Sequence, residues 1–86
     1  MGDGDRGLTN INIAQCRMAR AALRIGVREL ARRAKMSPTT ITMWESKRSH
    51  PTPETLDAIR KALEAEGIVF VNGGDMPGVR VPRAWG

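Results

Sequence analysis

Val27-Arg28-Glu29-Leu30-Ala31-Arg32-Arg33-Ala34-Lys35-Met36-Ser37-Pro38-Thr39-Thr40-Ile41-Thr42-Met43-Trp44-Glu45-Ser46-Lys47 is the stretch on which the fold turns. Val27, Leu30, Ala31 and Ala34 recur at helical spacing, so a short helix runs from about Val27 to Ala34 with that side inward. Met36-Ser37-Pro38 interrupts it. Ser37 is a strong N-cap, and Pro38 at the first helical position loses no needed hydrogen bond. A second helix then runs to about Ser46 and buries Ile41 and Trp44. Two short helices joined by a tight turn have the helix-turn-helix layout. Ala31 and Ala34 supply the small side chains that such a close approach needs.

Upstream, Thr9 or Asn10 is expected to N-cap a first helix, and Ile13, Cys16, Arg20 and Leu23 share one face of it. Arg20 in the middle of that apolar face demands a buried partner. Gly26 is expected to break the helix. Downstream, the loop Lys47-Arg48-Ser49-His50-Pro51 leads to Thr52-Pro53, a repeated cap-plus-proline device. A helix with Leu56, Ile59 and Leu63 inward follows and ends at Gly67. Ile68-Val69-Phe70-Val71 reads as a strand and Asn72-Gly73-Gly74-Asp75 as a turn. Val79-Arg80-Val81 reads as the returning strand, stopped by Pro82. The expected fold is mainly α: a compact four-helix domain over residues 9–66, with a short C-terminal β-hairpin over 67–82. Residues 1–8 and 83–86, the latter with Trp85, read as tails.

The chain has 86 residues, enough for one small domain. Its net charge is +5, and the distribution says more than the total. Nine basic residues lie between Arg17 and Arg48, opposed only by Glu29 and Glu45. Such a concentrated field suits a polyanion, because neutralised phosphates release counterions. One cysteine, Cys16, excludes an intramolecular disulfide, and its place on the apolar face reads as an inert core thiol. His50 has no companions at metal-ligand spacing, so no metal or cofactor is expected. There is no acid-base pair, no nucleophile beside a base and no phosphate loop, so an enzyme is not expected. No apolar run approaches the ~18 residues of a membrane span, and no apolar signal-peptide core follows the first residues. A cytoplasmic, nucleoid-associated protein is the expectation.

Over Gln15 to Leu63, the sequence QCRMARAALRIGVRELARRAKMSPTTITMWESKR, followed after two residues by a proline, resembles the Xre/Cro-like phage-repressor regulators. The ending LEAEGIVFVNGG…GVRV resembles a subset found among small bacterial regulators. The resemblance implies a sequence-specific, double-stranded-DNA-binding regulator of transcription. It implies a structural ion pair between Arg20 and Glu45, and base reading by Thr39, Thr42 and Met43 on the exposed side of the third helix. Phosphate binding then falls to Arg28, Lys35, Ser37, Thr40, Lys47 and Arg48. Arg32 and Arg33 face either phosphates or solvent.

The chain departs from the family's pattern in places. Gly26 replaces a serine cap, and Val27 replaces a phosphate-binding glutamine. Lys35 replaces the turn glycine and is expected to adopt a left-handed conformation, at roughly 1 kcal/mol. Met43 cannot donate to guanine but can touch a thymine methyl.

A two-stranded ribbon is marginal alone and leaves open edges. Ile68, Val69, Phe70, Val71, Val79 and Val81 are therefore expected to form a homodimer interface. The competing arrangement is a hairpin folded back on its own helices. Three functions compete: a repressor, an antitoxin that binds DNA and a toxin partner, and a protein-interaction module with an accidental helix-turn-helix shape. RNA polymerase is the other candidate protein partner.

Overall fold

Cap chemistry decides where the helices begin. In the computed structural model, which describes residues 11–71 and 78–81, α1 spans Ile13–Leu23, α2 Val27–Ala34, α3 Pro38–Glu45 and α4 Pro53–Glu64. Two short strands follow, β1 (Val69–Val71) and β2 (Gly78–Arg80), paired antiparallel with Phe70 opposite Val79. The mainly helical fold with a short hairpin is the expected one. The terminal stretches 1–10 and 82–86 and the expected turn Asn72–Asp75 lie outside the described residues.

Ser37 and Thr52 cap α3 and α4 as expected. Their hydroxyls accept from the backbone N–H of Thr39 and Thr55, each at 3.2 Å. At α1 the cap is Asn12, not Thr9 or Asn10. Asn12 Oδ1 accepts from the Gln15 N–H at 2.7 Å, and Gln15 Oε1 accepts from the Asn12 N–H at 2.9 Å. This reciprocal box satisfies two backbone donors at once, which a cap lacking glutamine three residues on does not achieve.

The exits also differ in detail. Arg24, not Gly26, ends α1, with φ 59° and ψ 42°. Its N–H bonds the Ala21 carbonyl at 3.1 Å, and the Ile25 N–H bonds the Arg20 carbonyl at 3.0 Å. Gly26 instead serves as the N-cap of α2. Lys35 closes α2 in the expected left-handed conformation, at φ 60°. The helix α4 stops at Glu64, a turn before the left-handed Gly67 at φ 98°.

The core joins all four helices: Cys16 and Ala19 from α1, Leu30 and Ala31 from α2, Ile41 and Trp44 from α3, Ile59 and Leu63 from α4. The four fully buried Leu and Ile side chains among these each contribute about 1.5–3 kcal/mol. The inward face of α1 is rotated from expectation. It centres on Gln15, Cys16 and Ala19, leaving Ile13 and Leu23 half-buried. Gln15 can be inside because its amide is used: Nε2 donates to the carbonyls of Val71 and Gly78, both at 3.2 Å. A polar side chain thus pins the strand pair to α1.

The hairpin lies on its own chain. Ile68, expected at a dimer surface, is 2% exposed within the core and so offers no side chain to a partner. Phe70 and Val79 pack half-buried against the same core. The apolar side chains left facing outward here are Val69 and Val81, 56% and 41% exposed. No helix among the described residues is long and apolar enough to cross a membrane.

Candidate nucleic-acid interface

An eight-residue helix with two buried residues has a single outward arc. On α3, Ile41 and Trp44 are buried, and Thr39 and Thr42 are exposed on the opposite side. Met43 lies beside them, half-buried, one helical turn from Thr39. The three residues expected to read bases therefore share one face. Thr40, expected at a phosphate, is half-buried at the edge of that face, and Ser37 is exposed at its start. The Ser37 hydroxyl already accepts from Thr39 N–H, and its own proton remains for a phosphate oxygen.

One guanidinium holds α3 in place. Arg20 Nε donates to Glu45 Oε2 at 3.0 Å and Nη2 to Oε1 at 2.6 Å, a two-pronged pair. Nη1 reaches the Ile25 carbonyl at 3.3 Å. The resemblance implied this pair, and it answers the oddity of an arginine on the core face. Both side chains are largely covered, at 19% and 10% exposure. The hydrogen bonds that Arg20 donates to Glu45 raise its pKa, so the guanidinium stays charged. Cys16 completes the cluster, its Sγ donating to Glu45 Oε2 at 3.3 Å. Burial, then Glu45, pushes its thiol far above the ordinary range, so Cys16 is a core thiol and not a nucleophile.

The cations from Arg28 to Arg48 divide into two groups. Arg32 and Arg33 are spoken for: Glu29 accepts from both, and Arg33 Nη1 also lies 2.9 Å from Glu66. The hydrogen bonds from Arg32 and then Arg33 hold the Glu29 carboxyl at about 2. Arg32, 72% exposed, still stands largely in solvent, whereas Arg33, 30% exposed, is held between Glu29 and Glu66. Arg28, Lys35, Lys47 and Arg48 are all exposed, and among the described residues none has a carboxylate within 4 Å. They begin α2 (Arg28), end it (Lys35) and follow α3 (Lys47, Arg48).

A helix-turn-helix family model matches residues 17–67, from within α1 past the end of α4. The chain belongs to the Xre/Cro-like helix-turn-helix family. Membership makes it a DNA-binding transcriptional regulator, with α2 and α3 as the motif. No curated protein matches the chain. Two features of this Xre/Cro-like regulator have signals that helical periodicity alone does not show. Helical periodicity counts Gln15 as a surface residue, although the spacing Asn12-x-x-Gln15 carries the capping-box signal. Arg24 is masked by Gly26, two residues on, which by residue type is the natural helix breaker.

Proposed function

We propose that the chain is a repressor that occupies a palindromic operator as a homodimer. Thr39, Thr42 and Met43 read base edges in the major groove. Arg28, Lys35, Ser37, Thr40, Lys47 and Arg48 hold the flanking phosphates. The observation that carries this reading is the single outward arc of α3, uncharged and bordered by cations without carboxylate partners among the described residues. Uncharged, short side chains let the helix approach base edges closely. Unpaired cations meet phosphates without first breaking an ion pair. Occupying an operator needs nothing beyond this unit and a symmetric partner. Two copies would set their recognition helices about 34 Å apart, one DNA turn.

Met43 gives the operator a chemical signature. A thioether makes apolar contact with a thymine methyl and donates nothing to guanine O6 or N7. Thr39→Ala and Met43→Ala are each expected to weaken binding to the preferred duplex by about 1–3 kcal/mol, and binding to random duplex far less. Fluorescence anisotropy on the two duplexes measures both. Equal losses on both would show that these residues do not read bases.

A further inference from the structure

We infer that Arg24 is an additional DNA-phosphate contact, kept in a strained helix exit for its charge. The inference rests on the DNA-facing surface proposed above and adds a residue to it. Three non-glycine residues among the described ones have positive φ: Arg24 at 59°, Lys35 at 60° and Lys47 at 64°. Each follows the end of a helix, α1, α2 and α3 in turn. Left-handed backbone favours glycine, then asparagine, because a Cβ crowds the following carbonyl. All three positions instead carry a long cation, exposed and without a carboxylate within 4 Å among the described residues. Their amides still make the ordinary helix-ending hydrogen bonds, so the backbone would accept glycine. Strain at three successive exits has no packing return in these exposed side chains. A charge on each is what the three share.

Placement singles out Arg24. The Arg20 guanidinium bonds the Ile25 carbonyl with one nitrogen and the Glu45 carboxylate with the other two. It thereby clamps the α1 exit turn to the last residue of α3. Arg24 immediately precedes Ile25, and Lys47 follows Glu45 by two residues. The two left-handed cations flank one clamp. A phosphate row that meets Lys47 and Arg48 would run beside Arg24 as well, and Arg28 stands four residues on, across the turn and in the first turn of α2. Arg80, also exposed, lies on β2 and is not held to this clamp.

The test is the salt dependence of binding to a random-sequence DNA duplex, read by anisotropy across a potassium chloride series, with Tm measured on each protein. Arg24→Gly and Arg24→Asn both suit left-handed backbone and remove the charge. Each is expected to flatten the slope of log K against log salt by ~0.9, the yield of one phosphate contact. Arg24→Gly is also expected to raise Tm by ~4 °C, as strain is relieved. Arg24→Lys should keep the wild-type slope. Unchanged slopes in both uncharged variants would overturn the inference, and so would an equal loss in Arg24→Lys. Should the glycine variant fold poorly, the asparagine variant decides. Wild-type protein without salt-dependent binding would remove the DNA-facing surface itself, whereas a normal wild-type slope retained in the uncharged variants removes Arg24 alone.

Discussion

Arg20→Ala is expected to destabilise the fold by about 3 kcal/mol, lowering Tm by roughly 12 °C or more. The loss is large because the partner stays behind. Glu45 is 10% exposed, and without Arg20 it keeps only the Cys16 thiol of the donors described here. A covered carboxylate with one weak donor costs far more than the pair contributed. The size lies at the lower end for buried pairs, since Arg20 itself is 19% exposed. Against the roughly 4–13 kcal/mol that a chain of this length commands, the loss is still severe. The double variant Arg20→Met with Glu45→Leu separates charge from packing. Thermal melts should show it recovering much of the lost stability, because no charge is left unpaired. A double variant as unstable as Arg20→Ala would mean that the pair acts through shape. A normal melt for Arg20→Ala would mean that the pair contributes nothing.

Val69→Lys is expected to yield a monomer that folds normally and binds its operator ~10²–10⁴-fold more weakly, as the second half-site ceases to be held by linkage. The side chain of Val69 is 56% exposed, so lysine there leaves the chain's own core intact. Among the described residues β1 has one strand neighbour, β2, which leaves its other edge to pair with a second copy. A lysine on an edge strand is a common bar to such pairing. Truncation of the hairpin would be a poorer probe, since it would remove Ile68, Phe70 and Val79 from the core. Sedimentation and circular dichroism on Val69→Lys give mass and helix content together. A dimer of undiminished operator affinity would exclude the β1 edge as the interface.

What the sequence made legible follows from how local each signal is. Ser37-Pro38 and Thr52-Pro53 place their helices correctly because cap and proline act within one turn. The outward set Thr39, Thr42 and Met43 follows from the buried pair Ile41 and Trp44 by helix geometry alone. Lys35 was legible as left-handed only through the family resemblance, which shows a glycine there. The Arg20–Glu45 pair likewise spans 25 positions, and no local rule reports it. Errors gathered where several residues competed for one role. Thr9, Asn10 and Asn12 can each cap a helix, and the choice fell to the glutamine that answers Asn12. The hairpin alternates in both imagined arrangements, so its pattern could not say that Ile68 belongs to the core of its own chain. Glu66 reaches Arg33 only after α4 has folded back on α2, so that contact has no local signal, whereas the Glu29 pairs with Arg32 and Arg33 lie at legible helix spacings.

The central claim is that α3 reads DNA sequence, and selection of bound duplexes from a random pool tests it most directly. Purified protein would be carried through repeated capture at fixed salt, and the recovered sequences compared with the input. The account predicts a two-fold symmetric motif with half-sites about one helical turn apart and thymine enriched where Met43 sits, the thymine preference vanishing in Met43→Ala. Recovered DNA indistinguishable from the input pool, with binding that depends on salt alone, would contradict it.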